Sequence, residues 1–507
     1  DVYKRQVVQG SIEDGTQPFE YKHISLLFNG NLYNQSAITT ELKSLGYAIT
    51  GISDTEVIAM AIYHWGNNAF KKFNGFFAIS IYDNIKNELT LARDKYGQKP
   101  IYYSSTSRSV YFGSTEDMIP ESPKGKVRYE SYIDFLTYGF VPSPYTMYEN
   151  MEILEPAMYV TFGISQNVIK ILDKSKYWKP EITDEITNFD DAFDALSFEL
   201  KSSVYDGLQA NTNVACLYSG GVDSSLLFSY ARAINKEIFT ITADFGGEDD
   251  ASERALPLIY EYNHQNYIIK NITEEEVSNS LANIGSICKS PFDDTSIIPS
   301  NMVFSTVKEK GYKVVITGDG ADELFCGYQS FSKLSKMKSI LNPKFDLIRK
   351  SANSIAKHIP NKYKSANFER FFLNTKDLLV DLSCNGFKKR EWGEGINSDY
   401  DPFHHVENLM NDFSGLDVMS KFRLLNLTFK LPNQMLYKVD RASMFNSVEA
   451  RPIFLNDNIV NCALSINSKT MFQKGAKGLL KEICNKNLPT KEWSLSLIHI
   501  SEPTRPY

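Results

Sequence analysis

Residues 213–225 read N-V-A-C-L-Y-S-G-G-V-D-S-S, and a helix-like run follows them at 226–233. The stretch begins as a short apolar strand, turns at two glycines and enters a helix. Glycines let the backbone approach a ligand closely, serine hydroxyls add donors, and a helix start contributes aligned N–H groups with partial positive charge. This arrangement predicts a loop that binds pyrophosphate. The alternative interpretation is an ordinary glycine turn with a helix cap.

Apolar runs alternate with helix-like sequence on either side of this loop. The runs at 213–218, 237–243, 265–269 and 313–317 are each followed by an amphipathic stretch. That alternation predicts a parallel sheet with helices on both faces. From about residue 331 the pattern is helical with few strands, so we expect a helical extension of the same domain.

A second polar loop follows the run at 313–317 and reads G-D-G-A-D-E-L-F at 318–325. Strand ends in a parallel sheet lie along one edge, so its three carboxylates are expected beside the glycine loop. Mg²⁺ prefers oxygen ligands, and one carboxylate from each loop could hold it between phosphates. The alternative is a solvated acidic turn.

Length and composition limit the functions to consider. A chain of 507 residues exceeds one typical core, which favours two or three domains. The net charge of −7 without a basic stripe argues against nucleic acid as a partner, and no apolar run is long enough to predict a membrane span. The six cysteines are dispersed without metal spacing, which is typical of reduced core thiols, so we expect a cytoplasmic protein.

The first half has a different texture. Residues 24–112 contain short β-branched and aromatic runs with one helical stretch near 56–64. A polar, proline-containing stretch at about 179–190 then separates the two textures, and we place the domain boundary there.

The two ends are expected to be scars of sequencing-library adapter. One short DNA stretch can encode D-V-Y-K-R-Q at 1–6 on one strand and L-S-L-I-H-I at 495–500 on the other. We therefore exclude 1–6 and 495–507 from the fold and expect a chain truncated at both ends.

The two loop motifs together resemble those of the pyrophosphate-loop ATPases, and within them the asparagine synthetase family. Three further segments of the second half resemble that family: K-V-D-R-A-S-M at 438–444, S-V-E-A-R at 447–451, and Lys477 before G-L-L. Three segments of the first half resemble its glutaminase domain: N-G-N-L-Y-N at 29–34, S-D-T-E at 53–56, and A-R-D-K-Y-G-Q-K-P at 92–100.

The resemblance implies a two-domain α/β enzyme. An Ntn-type αββα glutaminase sandwich would occupy 7–178, and a parallel-sheet pyrophosphate-loop ATPase with a helical extension would occupy 190–494. The first domain would release ammonia from glutamine, and the second would use ATP and Mg²⁺ to activate aspartate as an acyl-adenylate that ammonia attacks, giving asparagine. A homodimer is expected on the same grounds.

Residue roles carry over from the matching motifs. The resemblance implies that Asp319 acts as the base and Lys477 stabilises phosphate charge, while Asp223 and Asp322 bind Mg²⁺. ATP and pyrophosphate would contact Leu217, Ser219, Gly220, Gly221, Asp223, Ser224, Ser225, Ala243, Thr317 and Gly318. Asn29 and Gly30 would form the oxyanion hole of the glutaminase, and glutamine would contact Asn29, Gly30, Asn31 and Asp54. Taken alone, Asn-Gly between apolar runs more often marks a hairpin turn.

The sequence departs from the family pattern at several positions. The nucleophile of the family's glutaminase, a cysteine at the start of the mature chain, is absent here, as are the arginine and R-G-P-D segment expected before Gln17. We therefore expect the chain as given not to hydrolyse glutamine. Asn31 and Asp319 stand where many relatives have glutamate, and Thr295 stands where one clade has arginine near the substrate carboxylate. At 451–456, R-P-I-F-L-N replaces the usual R-V-P-F-L-D.

These departures leave two alternatives open. The same chemistry could act on another carboxylate, such as a sugar uronic acid, and Thr295 with its surroundings favours that hypothesis. The chain could instead be a non-catalytic relative that binds nucleotide or a partner protein, although Asp223, Asp319, Asp322 and Lys477 argue against it.

Overall fold

The computed structural model describes residues 16–50, 53–165, 168–245, 251–337, 373–388 and 399–489. The predicted adapter scars at 1–6 and 495–507 lie outside the described residues. Among the described residues, no helix combines the length and apolar character needed to cross a bilayer.

The first half contains two antiparallel sheets. The larger has six strands in the order β1-β2-β3-β4-β8-β9, and the smaller has three in the order β6-β5-β7. The strands are β1 Phe19–Tyr21, β2 Ile24–Leu32, β3 Gly75–Asp83, β4 Glu88–Arg93, β5 Tyr102–Ser105, β6 Val110–Gly113, β7 Glu152–Ile153, β8 Met158–Ser165 and β9 Val168–Lys176.

Alternation along the strands of the larger sheet builds a core on each of its faces. On one face, Ile79 and Ile81 pack with helices α1 (Gln35–Ser44) and α2 (Asp54–Trp65). On the other, Ala78 and Leu91 pack against the smaller sheet. The helix and sheet layers agree with the predicted glutaminase sandwich, and the predicted helix near 56–64 corresponds to α2. Helices α3 (Ala69–Lys72), α4 (Glu121–Lys124) and α5 (Tyr129–Tyr138) complete this half.

The second half is built on a five-stranded parallel sheet, as the sequence predicts. Its order is β12-β11-β10-β13-β14, and every pairing in it is parallel. The strands are β10 Val214–Leu217, β11 Phe239–Asp244, β12 Tyr267–Asn271, β13 Val314–Thr317 and β14 Glu449–Pro452. The first four correspond to the four predicted runs, with ends that agree within two residues. Strand β14 was not predicted.

Both faces of this sheet are covered by helices. Val214 and Cys216 face one core, whereas Ala215 between them faces the other. Near-continuous apolar runs are needed because both faces are buried. The helices are α6 Phe189–Gly207, α7 Val222–Ile234, α8 Ala251–Glu261, α9 Glu274–Ala282, α10 Ile284–Ile287, α11 Ile297–Glu309, α12 Ala321–Leu324, α13 Gln329–Met337, α14 Thr375–Ser383, α15 His404–Asp412, α16 Val418–Leu425, α17 Leu436–Phe445, α18 Asp457–Ser465, α19 Ser468–Met471 and α20 Gly478–Asn487. A π-helical segment, Asn426–Met435, joins α16 to α17.

The unusual order of Arg451 and Pro452 fits the edge position of β14. Proline cannot donate a ladder hydrogen bond, and it is tolerated where one side of a strand is unpaired. Pro452 is the last residue of the edge strand, and Asn456 then caps α18 by accepting a hydrogen bond from the Asn458 N–H. None of the six cysteines, all of which the structure describes, forms a disulfide, and Cys326 is buried, in agreement with reduced core thiols.

Candidate functional site

The glycine loop leaves the carboxyl end of β10 and enters α7. Gly221 is the N-cap of that helix, and Gly220 has a φ of +73°. A Cβ on Gly220 would lie 2.6 Å from the backbone carbonyl carbon of Arg254. Both the backbone conformation and the space therefore require glycine at 220.

Hydrogen bonds within the loop hold its shape. The Ser219 N–H donates to Ser224 Oγ at 3.2 Å, and that hydroxyl donates to the Gly221 carbonyl at 3.2 Å. The buried Ser225 hydroxyl has no partner among the described residues. An anion seated on the start of α7 would meet the N–H groups of the first helical turn.

The acidic loop lies directly beside the glycine loop because β13 is the neighbour of β10. A side chain on Gly318 would touch Cβ of Asp223 at 3.5 Å. The Thr317 hydroxyl donates to Asp319 Oδ2 at 2.6 Å, and burial raises the pKa of Asp319 above its usual range. Leu217 and Ala243 lie near the same edge, in β10 and β11. The structure thus brings together the residues predicted for nucleotide binding.

Lys477 joins the two loops. Its Nζ lies 2.5 Å from Asp223 Oδ2 and 2.7 Å from Asp322 Oδ1, and the residue is only 8% exposed. Burial raises the pKa of Asp223 to about 6, opposed by the Lys477 charge and assisted by Asp322. Burial alone would lower the pKa of Lys477, but the two carboxylates raise it above its usual value. Lys477 is therefore buried between two carboxylates and is not a solvated surface lysine.

The backbone of the acidic loop also positions Lys477. The Lys477 N–H donates to the Phe325 carbonyl at 3.0 Å, and Lys477 itself has a φ of +53° at the N-cap of α20. Gly327 packs against the pair: a Cβ there would lie 1.8 Å from Asp322 Oδ1 and 2.3 Å from Lys477 Cε. Sequence analysis did not single out Gly327, because nothing in its neighbourhood signals this contact.

A magnesium ion fits the donors in these two loops. Asp223 Oδ1 is buried without a partner among the described residues, so one carboxylate oxygen is available toward the glycine loop. The described residues contain no group of three or more protein ligands. Mg²⁺ commonly takes one or two carboxylates and completes its shell with substrate phosphates and water, which agrees with a site of two aspartates.

Two further pairs of residues, which were not predicted from the sequence, border the site. Glu323 is buried and accepts a hydrogen bond from the Tyr328 hydroxyl at 2.5 Å, and burial followed by the Asp322 charge raises the pKa of Glu323 to about 7. Lys438 Nζ donates to Asp294 Oδ2 at 3.2 Å and to Ser296 Oγ at 2.9 Å, directly beside the exposed Thr295. Glu323 lies in the acidic loop at 318–325, and Lys438 begins the family-like segment at 438–444. Their membership of these motifs was the one feature of the sequence that could have pointed to them.

The predicted glutaminase residues meet at a separate cavity. Asn29 and Gly30 lie inside β2, opposite Ala78 and Phe77 of β3, so the hairpin-turn interpretation of Asn-Gly is wrong. Gly30 has a φ of +153°, and a Cβ there would lie 2.0 Å from the Phe76 carbonyl oxygen, so a larger residue is excluded.

Asp54 begins α2 behind these strand residues. Its Oδ2 accepts the Leu32 N–H at 3.1 Å, while its Oδ1 is buried and has no partner among the described residues. Burial raises the pKa of Asp54 to about 7. Asn29, Gly30, Asn31 and Asp54 all line one cavity of about 600 Å³ that reaches the second domain.

Residues from the second domain line this cavity as well. Asn31 is 2% exposed, and its Oδ1 accepts a hydrogen bond from Arg451 Nη2 at 3.3 Å. Glu449, two residues before Arg451 in β14, lines the cavity beside them. Sequence analysis missed both contributions because β14 itself was not predicted.

Comparisons with known proteins match both halves of the chain. A family model described as "Asparagine synthase" matches residues 195–492, and one described as "Glutamine amidotransferase domain" matches residues 3–178. An "Asparagine synthetase [glutamine-hydrolyzing] 1" of Bacillus subtilis is 26% identical over 95% of this chain and 79% of its own length. A "Putative asparagine synthetase [glutamine-hydrolyzing]" of Mycobacterium tuberculosis is 26% identical over 86% of this chain and 68% of its own.

One solved structure illustrates how distant the structural comparisons are. A glutamine phosphoribosylpyrophosphate amidotransferase from B. subtilis is 14% identical over 61% of this chain and 59% of its own, with a TM-score of 0.23. That similarity is too low to carry an argument.

Proposed function

This chain belongs to the asparagine synthase family and carries a glutamine amidotransferase domain, and from that premise we propose that it converts aspartate to asparagine with ATP. Its nitrogen would come from free ammonia or, where the glutaminase nucleophile is present, from glutamine. We also propose domains at 7–178 and 190–494. The observation that carries the proposal is the Lys477 ammonium, held between Asp223 and Asp322 at the mouth of a glycine loop.

Adenylation is the chemistry that this site would support. A carboxylate oxygen is a poor leaving group, so transfer of AMP from ATP to the aspartate side chain gives β-aspartyl-AMP and pyrophosphate, after which AMP leaves readily. Ser219, Gly221 and the start of α7 would hold the pyrophosphate as its charge develops. Lys477, fixed from the side of the acidic loop, would stabilise the same charge.

Mg²⁺ would be held by Asp223 and Asp322, whose carboxylates face one another across Lys477. When bound, it would neutralise phosphate charge. Asp319 lies two residues from Thr317 at the end of β13 and would accept the proton that ammonia loses on attacking the acyl carbon. Its raised pKa matches the requirements of a base better than an ordinary aspartate would.

The first domain would supply the ammonia. Asn29 and the Gly30 N–H would stabilise the oxyanion of a tetrahedral intermediate, and Asp54 would hold the amino group of glutamine. The free Oδ1 of Asp54 supports that assignment because a buried carboxylate oxygen needs a donor.

The test is an assay of pyrophosphate release with ATP, Mg²⁺ and aspartate, with ammonia or glutamine as nitrogen donor. We expect asparagine and pyrophosphate in equal amounts with ammonia. If aspartate gives no pyrophosphate with either donor while ATP still binds, the assignment of aspartate fails.

A second candidate is amidation of another carboxylate, such as a sugar uronic acid. The observation that favours it is the exposed Thr295, which offers no charge to a substrate carboxylate, while the neighbouring Lys438 is already engaged by Asp294. A panel of carboxylates in the same assay separates the two candidates. ATP binding without turnover of any of them would instead support a non-catalytic relative.

A further inference from the structure

The cavity beside Asn29 is bounded by two domains. Strand β2 and the start of α2 supply one wall, and β14 with α17 supplies another, through Glu449 and Arg441. A ligand in this cavity therefore meets side chains that the first domain alone does not contain.

The wall supplied by the first domain offers a single anionic group next to the proposed oxyanion donors. Asp54 is 6% exposed, and its Oδ1 lacks a partner among the described residues. Asn31, which projects from the same strand as Asn29, is neutral. An ammonium group has three donors, so one carboxylate oxygen leaves the rest of it without a charged acceptor.

The wall supplied by the second domain offers another carboxylate. Glu449 Oε1 accepts a hydrogen bond from Arg451 Nε at 2.8 Å, and within the described chain its Oε2 has no hydrogen-bond partner. Arg451 is fully buried beneath the cavity, where it also donates to the Gly207 carbonyl at 2.9 Å and the Gln209 carbonyl at 2.8 Å. This anchored guanidinium fixes the position of Glu449.

Arg451 links Glu449 to strand β2 beside Leu32, the residue whose N–H donates to Asp54. The same guanidinium that holds Glu449 donates to Asn31 Oδ1, so β14 and β2 meet at one side chain. Burial is the main cause of the raised pKa of Asp54. The Leu32 N–H and the Arg451 charge oppose the increase, and the Glu449 charge adds to it.

We propose that Glu449 completes the amino-group pocket of the glutaminase site from the synthetase domain, so that Asp54 and Glu449 together bind the ammonium of an α-amino acid amide. This inference rests on the proposed use of glutamine. Arg441 and Lys99 also line the cavity, but both are paired with Asp440, so they leave the pair of acids as its anionic end.

The proposal predicts selectivity for the amino group. The test measures, by calorimetric titration of the full chain, the affinity for glutamine and for glutaramate, which is glutamine without its α-amino group. Replacement of Glu449 by Gln should weaken glutamine binding by about tenfold, the usual range for a charge-assisted hydrogen bond, and should change glutaramate binding by less than about twofold. E449D keeps the negative charge that pairs with Arg451 but moves the carboxylate away from the cavity. Its loss of glutamine affinity should therefore lie between those of the parent and E449Q.

The exposed residue Glu149 provides a matched control, because E149Q removes one acid from the same chain without approaching the cavity. Equal weakening of glutamine and glutaramate by E449Q would mean that Glu449 only supports the shape of the wall, and would overturn the proposal. Unchanged glutamine binding in both Glu449 variants would overturn it too, while leaving the proposed function intact. If the parent chain binds neither amide, the proposed use of glutamine fails, and this inference with it.

Discussion

Lys477 occupies a position that only a cation can fill. Two carboxylates face it at 2.5 and 2.7 Å, and its left-handed backbone conformation places it at the start of α20. Substitution K477M would leave Asp223 and Asp322 facing one another and would remove the charge proposed to act on the phosphates. We expect pyrophosphate release to fall by about 100-fold or more.

The exposed Lys469 provides the control for this variant. K469M should retain both the parent rate and the parent unfolding temperature. K477M should unfold at a lower temperature, because two carboxylates lose their buried cation, so the rates are compared below the unfolding transition of both variants. Retention of activity by K477M would remove Lys477 from the proposed mechanism.

Gly327 tests the geometry of the same pair without altering its charges. A methyl group at 327 would overlap Asp322 Oδ1 and press on Lys477 Cε, so G327A should displace both side chains and lower kcat at least about tenfold. Gly285 has open space around its Cα, and G285A should leave kcat unchanged. Equal rates in the two variants would contradict the close packing of Gly327.

Asp54 makes stability depend on pH in a defined direction. Burial raises its pKa to about 7 in the folded chain, whereas an unfolded aspartate titrates near 3.8. Between these values the folded state holds a proton that the unfolded state releases, so this residue destabilises the fold as pH rises toward 7. D54N should therefore raise the unfolding temperature at pH 8 and have little effect on it at pH 4. The corresponding gain in the free energy of unfolding at pH 8 is on the order of 4 kcal/mol at most.

Glutamine binding provides the opposite check on Asp54. An ammonium ligand needs the ionised carboxylate, so affinity should increase as pH rises through 7 and should be lost in D54N. A variant that is stabilised at pH 8 and still binds glutamine as the parent does would contradict the assigned role.

Single site residues could be proposed from the sequence where a polar residue lies within a local backbone pattern. Gly220 and Asp223 were identified because a strand, a glycine turn and a helix start make a local pattern. Glu449 was missed because its role depends on a partner more than 400 residues away in the chain, Asn31, through Arg451. No local pattern carries that information.

Strands and helices were predictable in proportion to their burial. Strands β10 and β13 are almost entirely apolar because both faces of the sheet are covered, and their ends were predicted within one residue. Strand β14 reads E-A-R-P and carries two charged residues. Glu449 lines the cavity, and Arg451 is buried beside it, so neither contributes an apolar side chain to the core. Charged residues replace the apolar pattern there, so this strand could not be predicted from its sequence.

The Asn-Gly pair in β2 was ambiguous for a related reason. Such a pair between apolar runs favours a hairpin turn. Here Gly30 is needed for close approach to the Phe76 carbonyl, and Asn29 faces the cavity. The close packing at Gly30 and the cavity at Asn29 therefore call for the same two residue types that a hairpin turn favours.

The helical extension and the acidic loop are joined by one buried arginine. Arg423 of α16 donates to the carbonyls of Leu324, Ile466 and Ala463, at 3.2, 3.4 and 2.7 Å. The latter two carbonyls lie at the carboxyl end of α18, where backbone acceptors lack helical partners and a cation is favourable. Arg423 therefore couples α12 to α18.

Substitution R423M should break this coupling. Three carbonyls would lose a charged donor, and we expect a loss on the order of 3 kcal/mol, measured as a fall in unfolding temperature. R423K keeps the charge and one donor direction and should retain part of the stability. An R423M protein as stable as the parent would show that water satisfies the three carbonyls equally well.

Across the whole molecule, the two domains are joined by charged groups at their contact. Asp457 at the start of α18 accepts hydrogen bonds from Lys95 and from the Tyr96 hydroxyl, while Lys99 lies 3.1 Å from Asp440 of α17. All three first-domain residues belong to the segment 92–100, which resembles the family's glutaminase. The sequence identified this segment, but only the assembled fold shows that it serves as the connection between domains.

At this contact one carboxylate, Asp440, is paired with two cations, Lys99 and Arg441, so removing the acid and removing one cation should have different effects. Burial opposes ionisation of Asp440, but Lys99 and Arg441 together hold its pKa below the usual range. K99M leaves Asp440 paired with Arg441 at 2.5 Å, whereas D440N leaves two buried cations facing a neutral amide. At pH 7, D440N should therefore lower the unfolding temperature more than K99M does and should accelerate tryptic cleavage between the domains.

The exposed pair Lys72 and Glu41 is the control, and K72M should change neither property, because exposed ion pairs contribute little. Equal losses in K99M and D440N would mean that Arg441 does not share the charge of Asp440.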